Sequence, residues 1–142
     1  MNPQSLARAC LDEMLKDDAC SAALGMEVVN IDERCASVRM VVRSDMVNGH
    51  GLCHGGMIFS LADSTFAFAC NSENHSALAA AGQIDFLAPA KLNDELTATA
   101  TVVNQGKRKG IYDVTVVHLL QERIAIFRRH SHRLGIPTIP IN

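Results

Sequence analysis

The residues best suited to chemistry in this sequence are a glycine pair, Gly55-Gly56, and an acid downstream of it, Asp63. Asp63 is the only charged side chain between Gly55 and Asn71, among Met57, Ile58, Leu61, Ala62, Phe66, Phe68 and Ala69. An acid stabilises a helix as an N-cap or in its first turn, and Asp63 occupies neither position. A carboxylate on an apolar helix carries a desolvation cost unless donors reach it. Such a placement points to acid–base chemistry more than to packing. Glycines are poor helix-interior residues but suit a helix start that a ligand must approach closely. The unpaired N–H groups of a first turn, aided by the helix dipole, can hold an oxyanion. Each such donor can lower a barrier by about 3 kcal/mol.

The spacing of the two elements constrains how they could cooperate. Gly55 and Asp63 are eight residues apart, a rise of about 12 Å on a helix. An attacking water must lie within about 3 Å of both the base and the carbonyl carbon. One helix cannot supply both groups to one water. The acid must then come from a neighbouring subunit's antiparallel helix, which predicts an obligate oligomer with two identical sites across a two-fold axis.

Other candidates are weaker. Cys53 and His54 are adjacent, and adjacent side chains usually point apart, so a Cys–His nucleophile is not favoured. His50 and His54 have the His-x-x-x-His spacing that binds metal on a helix, but residues 44–53 read as a loop, so no metal site is expected. Lys107-Arg108-Lys109 and Arg128-Arg129 read first as solvated turn and strand-end charge. Asp85, on an otherwise apolar strand, reads as a structural acid.

The elements that must position these residues follow from periodicity. Leu6, Cys10, Met14 and Leu15 predict an amphipathic helix over 4–16, and a helical turn near 19–24 ends at Gly25. Residues 26–31 and 35–43 read as strands, the second alternating Ala36, Val38, Met40 and Val42 with Ser37, Arg39 and Arg43. Residues 54–71 leave no broad polar face and predict a helix buried nearly all round. Four strand-like stretches follow, at 77–87, 95–104, 111–119 and 122–132, read as consecutive hairpins. The clearest alternates apolar residues with threonine from Leu96 to Val102, and the glycine-bracketed Gly106–Gly110 predicts its hairpin loop. The whole predicts an α+β fold, an antiparallel sheet of five to six strands wrapped around one central helix. Such a sheet keeps its outer face polar or covers it with a partner subunit.

The totals exclude some classes. At 142 residues, 48% apolar and 20% charged, the chain is expected to form one domain over 1–142. A net charge of −2 with one Tyr and no Trp gives no footprint for nucleic acid or an anionic membrane. The most apolar stretch, Met57 to Cys70, is too short to span a bilayer. Five cysteines without C-x-x-C spacing read as free thiols in a reducing cytoplasm. Acids near the N-terminus, at Asp12 and Glu13, leave no apolar run for a signal peptide.

Asn48-Gly49-His50-Gly51-Leu52-Cys53-His54-Gly55-Gly56, with Phe59-Ser60-Leu61-Ala62-Asp63-Ser64, closely resembles the hotdog-fold acyl-CoA thioesterases of the phenylacetate-degradation (PaaI) type. Ile84–Pro89, Gln105-Gly106-Lys107, Phe127-Arg128 and Ser131–Arg133 extend the likeness over nearly the whole chain. The resemblance implies hydrolysis of a coenzyme A thioester, of an aryl-acetyl or hydroxylated aryl-acetyl group, without metal or cofactor. It implies Asp63 as general base or nucleophile and the Gly55 N–H, with Gly56 beside it, at the thioester carbonyl. Asn48 would orient water or carbonyl, and His54 would shape the pocket or assist by hydrogen bonding. Some relatives place a Ser or Thr hydroxyl near the acid, where this chain has Ala79-Ala80-Ala81; Gln83 is the nearest polar substitute. Lys107 becomes a candidate for the coenzyme A phosphates, and the assembly implied is a homotetramer of paired dimers. A hotdog hydratase using His54 and Asp63, or a non-catalytic acyl-CoA-binding module, are the alternatives.

Overall fold

The computed structural model describes residues 1–119 and 122–140. Helix α1 (Pro3–Leu15) starts where Asn2 caps it, Oδ1 accepting from Ser5 N at 2.8 Å, with Pro3 preset for the first turn. The short α2 (Ala19–Ala23) is capped in the same way by Asp18. Strands β1 (Glu27–Asp32) and β2 (Cys35–Val41) pair as a hairpin through Arg34, whose φ is 56°. A 3-10 turn (Ser44–Met46) and a loop lead to helix α3 (Gly55–Cys70). Strands β3 (Ala77–Phe86), β4 (Glu95–Gln105), β5 (Lys109–His118) and β6 (Glu122–Arg133) follow.

All six strands form one antiparallel sheet in the order β1-β2-β4-β5-β6-β3, curved around α3 in the hotdog arrangement. The sequence reading of consecutive hairpins after the helix holds for β4, β5 and β6 but not for β3. One edge of β4 already pairs with β2, Ala36 opposite Ala100, so β3 crosses to the far edge and pairs with β6. The side chains that β2, β4 and β5 bury against the helix mix small residues (Ala36, Ala98, Ala100) with larger ones (Leu96, Tyr112, Val114). Phe66 on α3 meets Tyr112 on β5 edge-on, ring centroids 5.8 Å apart.

The composition of α3 predicts a helix buried nearly all round, but one side of it is open. Ile58, Leu61, Ala62, Phe66, Phe68 and Ala69 are buried, but Gly56, Phe59, Ser60, Asp63 and Ala67 form a half-buried stripe at three- and four-residue spacing. The curved sheet covers only part of the helix circumference, and this stripe lies outside it. Two hydroxyls on the helix are satisfied by its own carbonyls, Ser60 by Gly56 at 2.8 Å and Thr65 by Leu61 at 2.7 Å.

The C-terminus of α3 is tied down by polar contacts. Asn71 donates to the Ala67 carbonyl at 2.9 Å and accepts from Ala77 N at 2.8 Å, joining the helix end to the start of β3. Glu73 accepts from Arg34 Nε at 2.6 Å and from Arg133 Nη2 at 3.2 Å. Burial raises the Glu73 carboxyl, but the two guanidiniums outweigh it and hold it below the usual carboxylate range. A depressed folded-state pKa gives stability that is present above the unfolded value, about 4.3, and is lost as pH falls through the folded one. Glu73→Gln is therefore expected to lower the unfolding free energy by roughly 1.5–3 kcal/mol at pH 7. In denaturant titrations across pH, that gap should shrink as wild-type Glu73 protonates in acid.

Candidate active site

The loop before α3 is built around Asn48. Its Oδ1 accepts from His50 N at 2.9 Å and Leu52 N at 3.2 Å, while Gly51 takes the positive φ (75°) that the turn requires. With Oδ1 occupied by the loop, Asn48 is left with its NH2 group to offer a ligand, a donor suited to a carbonyl or a water oxygen.

His54 is the N-cap of α3. Its Nδ1 accepts from Gly56 N at 2.8 Å, and its own N–H is held by the Met46 carbonyl at 2.7 Å. A Cβ on Gly56 would stand 3.0 Å from that Nδ1, so glycine is what allows the cap to close. Glycines 55 and 56 are thus not equivalent. The Gly56 N–H is spent within the protein, and Met57 N returns to the His54 carbonyl at 2.9 Å. The Gly55 N–H has no acceptor among the described residues and is the donor left for a ligand. Against the Gly55 Cα lies the ring of Phe86, 3.1 Å from where a Cβ would sit and half exposed at 52%. Sequence reading did not single out Phe86, although it ends β3 and lies within the Ile84–Pro89 segment noted above. Phe66 and Phe68, on α3, are core residues.

Asp63 lies two turns further along α3, on the uncovered stripe. Arg129 on β6 donates from Nε to its Oδ1 at 3.0 Å, and the carboxylate side chain remains 37% exposed. Gly55 and Asp63 share one unbroken helix, so a single protomer does not bring them together. Nor does it bring His54 to Asp63, as a hydratase pair within one chain would need.

Gln83 and Lys107 are placed elsewhere. Gln83 pairs in register with Arg128 on the sheet face turned away from α3, in a cavity of about 550 Å³ shared with Asp85 and Asp113. Asp85 is exposed there, not a core acid. Arg128 is engaged by Asp113 through two bonds, of 2.7 and 2.9 Å, so Arg128 and Arg129 both already have carboxylate partners. Lys107, in the β4–β5 turn, borders a cavity of about 660 Å³ with Arg108, His75, His132 and Arg133. The Cys53 thiol is buried, and desolvation, with the Asp94 charge nearby, pushes it up to about 11, far from a thiolate nucleophile.

A family model described as the thioesterase superfamily matches residues 50–125, and the chain belongs to that superfamily. Acyl-coenzyme A thioesterase PaaI of Escherichia coli (strain K12) is 51% identical over 122 residues, 86% of this chain and 87% of that protein. The solved structure of the E. coli PaaI protein from the phenylacetic acid degradation operon superposes with a TM-score of 0.94 at 46% identity, covering 96% of this chain and 99% of that one. A Streptococcus mutans protein solved bound to acetyl CoA gives 0.76 at 26% identity, covering 78% and 90%.

The cap geometry can be tested separately from activity. His54→Ala removes the Gly56 acceptor and is expected to lower stability by about 1 kcal/mol, whereas His54→Asn, a good cap, should retain most of it. Thermal unfolding of the two variants beside wild type checks this.

Proposed function

We propose that this protein hydrolyses acyl-CoA thioesters in sites that each combine two copies of the chain. The observation that carries the reading is the separation of Gly55 and Asp63 along the rigid helix α3, about 12 Å. A second copy with its helix antiparallel would set the Gly55 N–H of one subunit against Asp63 of the other. In that site the N–H, with the NH2 of Asn48 from the same loop, receives the thioester oxygen. Asp63 takes a proton from water as the water oxygen bonds to the carbonyl carbon. The tetrahedral intermediate then collapses and expels the coenzyme A thiolate, a good leaving group because thiols ionise near pH ~8.5. No metal or cofactor enters these steps.

Strand β3 supports the pairing. It is a sheet edge ten residues long, exposed along nearly its whole length and lined by Ala79-Ala80-Ala81-Gly82. An open edge of this kind is a template for another strand. Antiparallel pairing of two such edges would continue the sheet and lay the two α3 helices side by side. A tetramer of two such dimers is the assembly we infer by likeness to the family.

For the acyl group we propose aryl-acetyl or hydroxylated aryl-acetyl. Phe86 stands half exposed at Gly55, and the similar E. coli protein belongs to a phenylacetic acid degradation operon. Lys107 and Arg108, in their cationic cavity, are the residues we assign to the coenzyme A phosphates. Among the described residues, no helix is long and apolar enough to cross a membrane. The free thiols fit a reducing cytoplasm, where we place the protein.

Two substitutions test the site directly. With Gly55→Ala, which keeps the N–H, as the control for the Cβ that either variant sets against Phe86, Gly55→Pro deletes the N–H at a first helical position where proline is tolerated, after a His54 whose ψ of 135° suits it. It is expected to lower kcat by about 10²–10³-fold while α3 stays folded by circular dichroism. Asp63→Asn should abolish most thiol release from an acyl-CoA panel. Refolding the two variants together at equal ratio should restore about a quarter of wild-type activity, because half the dimers are hybrids and each has one intact site. No recovery in mixtures shown to contain hybrids would sink the shared site.

A further inference from the structure

The arginine beside Asp63 is more closely held than a surface ion pair requires. Its guanidinium carbon lies 5.4 Å from the Phe59 ring centroid and 5.8 Å from that of Phe127, within cation–π range of both. Those rings are themselves locked edge to face, 5.2 Å apart at 87°. Opposite Arg129 on β3 is Gly82, and a Cβ there would fall 2.7 Å from Arg129 Cδ and 2.9 Å from Nη1. The edge strand therefore leaves a slot that the arginine side chain fills. Its side chain is 19% exposed, against 37% for Asp63.

As a stability device this arrangement offers little, since an ion pair with so open an acid is worth about 0–1 kcal/mol. For the geometry of the carboxylate it offers more. The Arg129 Nε takes Oδ1, and no donor among the described residues reaches Oδ2. One oxygen is pinned while the other faces the uncovered side of α3.

We propose that Arg129 is a positioning residue for the hydrolysis, fixing the Asp63 carboxylate so that Oδ2 is presented to the attacking water. The inference rests on Asp63 being the base. Two rings and the Gly82 slot fix the arginine, and the arginine fixes the acid. A misplacement of about 1 Å at a reacting group can cost about 10²-fold in rate, so the orientation matters more than the pair's contribution to folding. Gly82 then has a role at a distance, because any side chain there displaces the arginine.

The test uses steady-state thiol release from the best substrate of an acyl-CoA panel, with wild type, Arg129→Ala, Gly82→Ala, the double variant and Asp63→Asn. Arg129→Ala should lose about ten- to a hundredfold in kcat with KM little changed. Millimolar methylguanidinium, too dilute to denature, should restore part of the lost kcat in Arg129→Ala and none in Asp63→Asn. Gly82→Ala should show a similar loss while remaining the wild-type size on a column. The double variant should be no worse than Arg129→Ala alone, since both changes break one contact. If Asp63→Asn is inactive while Arg129→Ala keeps kcat within twofold of wild type, Arg129 has no positioning role and the base assignment stands. A kcat loss that tracks a drop in melting temperature and ignores methylguanidinium also overturns the proposal. An Asp63→Asn enzyme as active as wild type would instead overturn the base assignment itself.

Discussion

A straight helix holds its residues at fixed distances, and α3 imposes that constraint on everything functional here. Its first N–H and its acid both belong to one rigid rod from Gly55 to Cys70, clasped by the sheet on one side. Curvature of the sheet determines how much of the rod is covered. The part left open carries Gly56, Phe59, Asp63 and Ala67. Whatever completes a site on that stripe must come from outside the protomer, and the unpaired edge of β3 lies on the border of the sheet where a second copy could join.

The start of the rod keeps one backbone donor unspent among the described residues. Four N–H groups lack helical partners at any N-terminus. Here His54 satisfies two of the next three with its ring nitrogen and its carbonyl, leaving Gly55 with a donor unspent. The two glycines serve different ends. Gly56 makes room for the His54 ring, whereas Gly55 allows Phe86 to pack against the backbone. The loop that delivers His54 is in turn shaped by Asn48, so donor, cap and loop form one connected structure.

Charge on the inner face is distributed as pairs. Glu73 is held between Arg34 and Arg133 at the far end of α3, and Asp63 by Arg129 in the middle. Glu73 is the more buried of the two acids and fastens the helix end to the β1–β2 turn and to β6. The second is open to solvent on one side. Outside the sheet, Arg128 and Asp113 form a bidentate pair, while Lys107 and Arg108 line a separate cavity together with Arg133.

Much of this was written in local pattern. The alternation from Leu96 to Val102, the glycine-bracketed turn before β5 and the apolar run after Gly56 each fix an element through the chain's own periodicity. The lone Asp63 and the glycine pair stood out as the candidate site, and their spacing, a consequence of 1.5 Å per residue, is the basis of the proposed second copy. Periodicity does not say which strands become neighbours, so the crossing of β3 to the edge beside β6 was not available from it. Nor does it reveal contacts between residues far apart in sequence. That Arg129 reaches Asp63 across 66 positions, that Gly82 clears its path, and that Phe86 backs Gly55 are results of folding. The sequence by itself determined the rod, its acid and its donor, because these depend on neighbours along the chain. Only the tertiary structure decided which face of the rod stays open and which side chains meet there, because those depend on how a curved sheet closes around it.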